Sequence, residues 1–326
     1  MQHTRREFVR AAAVTAVAPI LSRIGWAQSY PSRPVRIIVA AGPAGVPDIL
    51  ARLIGPWLSA RLGQQFVVDN RPGGGNNIGA EAVVRAPPDG YTLLLVSTSN
   101  AINATLYEKL SFKFVRDIAP IATLVRQPAI MLVNLSIPAT TIPEFITYAK
   151  ANPGKLNMGS PGIGSGPHMA GELFKVMTGI DMVHVPYRGG GGPALTDLLG
   201  GQVQVLFQAP VGSIEHVTAG KVRALAVTTA ARSELLPNIP TIGEFVPGYE
   251  ASLWFGLGAP RATSKDIVEK LNKEINAGLS DPTMIRRLAD LGGGVLASSP
   301  AEFGKLIEDD TEKWGKVVKL AGIKPE

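Results

Sequence analysis

The chain has no cysteine. That single absence removes disulfide frameworks, thiolate zinc sites, iron–sulfur clusters and cysteine nucleophiles together. Histidine is nearly as scarce, with four in 326 residues. Apart from His3, in a leader segment, only His168, His184 and His216 remain, too few and too dispersed for a metal site. The sequence has no Gly-x-Ser-x-Gly nucleophile elbow, no His-Glu-x-x-His and no Walker loop. Gly162-x-Gly164-x-Gly166 comes near a dinucleotide loop but lacks the final spacing of GxGxxG. The strand after its helix ends in Val185-Pro186-Tyr187 instead of the acidic residue that holds a ribose. No cofactor is expected, and an enzyme is disfavoured. No stretch reaches the ~18 uninterrupted apolar residues of a membrane span.

Strong charge is also missing. The formal +6 falls to +3 once Arg5, Arg6, Arg10, Arg23 and Glu7 leave with the leader. Without a basic stripe or an aromatic–basic ladder, nucleic acid is not a partner, while a mild positive balance suits weak attraction of anions. Residues 1–27 read as an export signal. Thr4-Arg5-Arg6-Glu7-Phe8-Val9-Arg10 forms a twin-arginine pattern, Ala11–Leu21 is weakly apolar, and cleavage is expected after Gly25-Trp26-Ala27. An ordinary secretory signal with two adjacent arginines is the alternative, and both routes lead to the bacterial periplasm.

What the chain does have is repetition. Strand Val35–Ala41, loop Gly42-Pro43-Ala44-Gly45, helix Asp48–Leu62 and strand Phe66–Asn70 run into Arg71-Pro72-Gly73-Gly74-Gly75, a helix at Gly79–Arg85 and strand Tyr91–Val96. The order returns with Leu156–Ser160, the loop Gly162-Ile163-Gly164-Ser165-Gly166, helix His168–Met177 and strand Met182–Tyr187. Arg188-Gly189-Gly190-Gly191-Gly192, helix Ala194–Leu199 and strand Val203–Phe207 complete it. A doubled β-loop-α-β-loop-α-β unit predicts two α/β lobes with a pocket between facing loops. With 45% hydrophobic and 18% charged residues, 326 residues suffice for two such cores.

Ile118–Val133 is read as the crossing into the second lobe and Leu253–Ala259 as the return, so that the lobes can hinge. The domain reading is 28–127 plus 253–326 for lobe one and 128–252 for lobe two. Gly55-Pro56 should kink or restart the first helix. Val222–Val227 is expected as a parallel-type strand. Ser264 opens a helix through Ile267, Val268, Leu271 and Ile275, and Ser299-Pro300-Ala301-Glu302 is a capping box for the last helix.

Each first loop sets small residues before a helix N-terminus, where exposed N–H groups and the helix dipole can meet an anion. The candidates are Gly42, Ala44, Gly45 and Asp48 in lobe one, and Ser160, Gly162, Gly164, Ser165 and His168 in lobe two. Asp48 reads as a helix N-cap ahead of a partner for a ligand ammonium group. His168 reads as a helix-start donor, His184 as a satisfied half-buried residue, and His216 as part of a polar helix face.

Several segments resemble the receptors of tripartite tricarboxylate transporters, also called Bug proteins. They are Tyr30-Pro31-Ser32-Arg33-Pro34-Val35, Asp69-Asn70-Arg71-Pro72-Gly73 with Ile78-Gly79-Ala80, and Pro88-Asp89-Gly90-Tyr91-Thr92-Leu93-Leu94. Gly159–Ser165, His168–Phe174, His184–Gly189 and Asp197–Val203 carry it through the second half. The resemblance implies a periplasmic-binding-protein-like fold of type II, each lobe a mostly parallel sheet flanked by helices. It implies a monomeric receptor that holds a small organic carboxylate between the loops Gly42–Asp48 and Ser160–His168 and delivers it to membrane permease subunits. It adds Thr98, Asn100 and Asn103 after the third strand, and Tyr187 to Gly189, as residues facing the ligand. Signalling in place of transport is an open alternative, as is a periplasmic enzyme acting on a small carboxylic acid. The chain departs from the family at Ala40–Asp48, where Ala41 replaces an aromatic and Pro47 removes an N–H. A roomier pocket, suiting an aromatic or branched acid, is the expectation.

Overall fold

The computed structural model describes residues 30–187 and 190–325. The leader with its twin-arginine pattern and Gly189 lie outside them. β1 (Val35–Val39) leads to α1 (Val46–Leu62), β2 (Phe66–Asn70), α2 (Asn77–Val84), β3 (Thr92–Ser97) and α3 (Thr98–Leu106). A short α4 (Phe114–Asp117) precedes β4 (Ile118–Gln127), and the chain continues into β5 (Ile130–Val133). Next come α5 (Ile142–Ala151), β6 (Asn157–Ser160), α6 (Gly166–Thr178), β7 (Val183–Pro186) and α7 (Gly191–Leu199). Then follow β8 (Val205–Gln208), α8 (Ile214–Thr218) and β9 (Arg223–Val227). The return strand β10 (Leu253–Pro260) is followed by α9 (Lys265–Leu279), α10 (Pro282–Asp290), β11 (Gly294–Val295) and α11 (Pro300–Ala321).

Two sheets result. One has the order β11-β4-β10-β3-β1-β2, the other β7-β6-β8-β5-β9. The expected crossings are strands of these sheets: β4 lies in the first, β5 in the second, and β10 pairs with β3 and β4. Each sheet is mostly parallel, as expected: β1, β2, β3 and β4 run one way against β10 and β11, and β6, β7, β8 and β9 run one way against β5. β1 runs parallel to β2 and β3, and β6 to β7 and β8, whereas β10 is antiparallel to both its neighbours. β5 is antiparallel to both β8 and β9, so β9 runs the same way as β6, β7 and β8, as expected of a parallel-type strand. Continuous apolar composition signals burial on both faces but not strand direction, and the direction follows from the chain passing between lobes in β4–β5 and β10.

Local chemistry sets the helix ends. α1 starts on Gly45 with Pro47 in its first turn and stops on left-handed Gly63. It runs unbroken through Pro56, so the expected restart does not occur. Ser59 Oγ donates 2.8 Å to the Gly55 carbonyl, and Gly55 lets β2 approach, since a Cβ there would lie 3.1 Å from the Phe66 carbonyl oxygen. Ser299 and Glu302 form the expected capping box of α11.

Lobe one encloses its apolar residues beneath α1 and α9, with Leu50, Ile54 and Leu58 packed on Ile37, Leu93 and Leu271. The core of the second lobe is less self-contained. Met169, Phe174, Phe207 and Tyr249 share one cluster with Ile102 and Leu106 of α3 and with Trp314, Val317 and Val318 of α11. Burial of each large apolar side chain stabilises by roughly 1.5–3 kcal/mol, so the inter-lobe part of this cluster is a substantial bond between lobes.

Candidate functional site

β1, β3, β6 and β8 deliver their carboxyl ends to the loops of interest. In open α/β sheets the ligand crevice lies outside the carboxyl ends of the strands. In lobe one, Ala44 takes a left-handed φ of 62°, and its N–H donates 3.0 Å to Asp48 Oδ2. Gly45 is the N-cap of α1 and carries no side-chain cap, which corrects the N-cap role expected of Asp48. Asp48 stands in the first turn, buried, and accepts from Arg52 Nε at 3.0 Å through both oxygens. Burial pushes its carboxyl up, but the Arg52 and Ala44 hydrogen bonds prevail and hold it below the ordinary aspartate range. A ligand ammonium group would have to displace Arg52. Asn70 fixes the strand end, donating 3.1 Å to the Ala41 carbonyl and accepting from Arg52 at 3.2 Å.

The second loop is built on different groups. Ser160 is fully buried, and its Oγ accepts from the Gly162 N–H at 3.1 Å and shares a 2.7 Å hydrogen bond with His184 Nε2. Ser165 caps α6, accepting from the His168 N–H at 3.3 Å, as expected of a helix-start donor. The His168 ring does more. Its Nδ1 accepts from the Gly164 N–H at 3.3 Å, which places the ring proton on Nε2, 3.7 Å from Glu172 Oε1. The rings of His168 and His184 stack with centroids 3.8 Å apart. Burial, reinforced by the neighbouring His184 and Lys175, drives His168 down to about 2, and burial with Lys175 drives His184 down to about 4. Both rings are therefore neutral near neutral pH. Glu172, held up by burial, pairs with Lys175 at 3.0 Å.

The two lobes meet at this second loop. Gly164 has a φ of 75°, and a Cβ on it would lie 2.7 Å from Asn103 Oδ1 and 2.9 Å from Leu106 Cδ2. A Cβ on Gly166 would collide with Leu253 and approach Thr98 Cβ at 3.8 Å. Loop 160–168 thus abuts α3 and β10, whereas no hydrogen bond joins it to loop 42–48 among the described residues.

The α3 residues are engaged within the fold. Thr98 Oγ1 accepts from the Trp254 N–H at 2.9 Å, and Asn100 Oδ1 accepts from the Ser97 N–H at 2.9 Å in a capping box. Asn103 Nδ2 donates to the Gly75 carbonyl, while its Oδ1 is buried without a partner. Tyr187 donates 2.7 Å to Asp197, which together with burial pushes its hydroxyl up to about 12. After these internal bonds, the N–H groups of Gly42, Gly45, Ile163 and Gly166 have no partner among the described residues. Sequence reading missed the His168–His184 stack and Gln208. The latter's only signal is a polar residue closing the apolar run Val-Leu-Phe before Ala209-Pro210.

Among the described residues no group of acidic residues and histidines could hold a metal, and no helix is long and apolar enough to cross a membrane. Comparison with known proteins places this geometry. A UPF0065 protein from the tcbD–tcbE intergenic region of Pseudomonas sp. strain P51 is 34% identical over 315 residues, covering 96% of this chain and 94% of that protein. BugT of Bordetella pertussis is 34% identical over 301 residues, covering 91% and 92%. Among solved structures, R. palustris Rpa4515 with adipate is 38% identical with a TM-score of 0.84, covering 91% of this chain and 100% of that one. MatC of Rhodopseudomonas palustris with bound malate is 31% identical with a TM-score of 0.81, covering 89% and 100%. The signature described as "Tripartite tricarboxylate transporter family receptor" matches residues 50–323, and the chain belongs to that family.

Proposed function

We propose that the protein is a periplasmic receptor that closes two lobes on a small organic carboxylate and presents it to the permease subunits of a tripartite tricarboxylate transporter. The observation that carries this reading is the start of α6. There Ile163 and Gly166 keep N–H groups free at the positive end of a helix, against α3 of the other lobe. Free N–H groups at Gly42 and Gly45 supply the matching side. Relatives that hold adipate and malate support the ligand class. The ligand-contact set is Gly42, Ala44, Gly45, Asp48, Thr98, Asn100, Asn103, Ser160, Gly162, Gly164, Ser165, His168, Tyr187 and Gly189. Lobe one is taken as 28–127 with 253–326 and lobe two as 128–252. The chain acts as a monomer after export through its twin-arginine-type leader. A Cβ on Gly42 would meet nothing within 4 Å, which supports the roomier pocket.

The Ser160–His184 pair invites the enzyme reading, but its chemistry is wrong for a nucleophile. Ser160 is fully buried, its hydroxyl already serves the Gly162 N–H, and no carboxylate orients His184 among the described residues. Mass spectrometry of small molecules released from the purified mature protein, with a thermal-shift screen of organic acids, tests the proposal. An intact acid that stabilises the fold, by about 2.7 kcal/mol at a hundredfold excess over Kd, is the expected result. No acid bound, or a chemically altered one released, would overturn it. Equal affinity for succinate and benzoate would remove the roomier pocket alone.

A further inference from the structure

α7 begins on Gly190 without a side-chain cap, and the N–H groups of Gly191 and Gly192 have no partner among the described residues. A Cβ on Gly190 or Gly192 would meet nothing within 4 Å among the described residues, which leave the first turn uncovered. Set against that turn is the Gln208 amide, at the carboxyl end of β8, the strand beside β6. Gln208 is 6% exposed, and its Oε1 is buried with no hydrogen-bond partner. A Cβ on Gly191 would lie 2.8 Å from that oxygen, which places the unpaired acceptor directly against the start of α7. The first turn of α7 lacks an acceptor and Gln208 lacks a donor. A second carboxylate supplies only acceptors and would set its charge against the partial negative charge of Oε1, leaving that acceptor unpaired. A hydroxyl supplies both, donating to Gln208 and accepting from Gly191 or Gly192.

We infer that the start of α7 and Gln208 form a subsite for a hydroxyl group on the bound acid, so that the receptor prefers hydroxy acids to unsubstituted acids of the same length. The inference rests on the carboxylate reading above and deepens it. The subsite lies at the ends of β7 and β8 and the α6 loop at the end of β6, so the hydroxyl it takes is a different group of the ligand from the carboxylate held at α6.

Titration calorimetry on the purified mature protein tests it with three acids at each chain length from three to six carbons: the unsubstituted monoacid, the ω-hydroxy acid and the dicarboxylate. At the best-fitting length the hydroxy acid should bind about tenfold more tightly than the monoacid, a difference of about 1.4 kcal/mol. Gln208→Leu should erase that difference while holding the monoacid within about twofold. Gln208→Glu, close in size and still an acceptor, should keep the hydroxyl preference and reject the dicarboxylate further, and it serves if the leucine variant does not fold. Dicarboxylates binding tighter than hydroxy acids at every length, or a monoacid equal to its hydroxy acid, would overturn the subsite while leaving the receptor reading intact. Binding of no acid at any length would overturn both.

Discussion

Loops 42–48 and 160–168 occupy equivalent places after β1 and β6, yet they solve the same problem with opposite chemistry. Each must turn sharply into a helix and find an acceptor for an inward-facing N–H. The first uses an ionised carboxylate, Asp48, neutralised by the exposed Arg52. The second uses the neutral ring of His168, sealed beneath the loop by His184. A resident negative charge in the first turn of α1 uses up part of its helix dipole, whereas nothing charged sits on the first turn of α6. The second lobe is therefore the stronger anion end, and its loop is also the one pressed against the opposite lobe.

Acid should separate the loops most. Folding lowers both histidine pKa values, so the unfolded chain binds protons first. The stability they contribute is complete above about pH 6.5 and is lost as pH falls from there, toward about 4 for His184 and on toward about 2 for His168. At pH 5 each histidine costs about 2 kcal/mol, partly returned by Glu172, whose raised carboxyl pKa acts in the opposite sense. Asp48 is lowered, so its contribution is intact above about pH 4 and is lost only below that. Amide exchange at pH 5 and pH 7.5 should show loop 160–168 losing protection while loop 42–48 keeps it. Equal loss in both would refute the contrast.

Paired alanine substitutions sharpen the packing difference. Gly164→Ala meets Asn103 and Leu106 and keeps a left-handed φ, and should cost about 3 kcal/mol in urea unfolding. Gly42→Ala enters open space and should change stability by less than about 0.5 kcal/mol. Similar costs would mean that the lobes do not meet at Gly164. Removing each acceptor gives the smallest effects. His168→Ala leaves the buried Gly164 N–H unpaired, at about 2 kcal/mol, while Asp48→Asn keeps an oxygen for Ala44 and loses only the ion pair to the exposed Arg52, at under about 1 kcal/mol. Denaturation midpoints for the two variants check the order.

Much of this was readable in advance because strand–loop–helix units announce themselves locally. Gly45 to Asp48, Ser165 to His168 and the Ser299–Glu302 box each carry their signal within a few residues. The reversed direction of β5 and β10 was not readable, since an apolar run such as Leu253–Pro260 looks alike in either direction. Nor was the purpose of His184, because its partners Ser160 and His168 come to it through the parallel pairing of β6 with β7 and through α6. The engagement of Thr98 by Trp254 depends on a strand more than a hundred residues away, beyond the reach of any local pattern.

Trp314, Val317 and Val318 lie in α11, which follows the last strand of the first sheet, yet they complete the core beneath α6. Neither lobe is thus an independent folding unit in the way the doubled sequence suggests. A fragment spanning 128–252 would present a bare apolar face where α3 and α11 belong, and would need to find a substitute or aggregate. In the intact chain the same arrangement ties the middle of the sequence to its last helix, so the molecule should melt in one cooperative transition despite its two sheets.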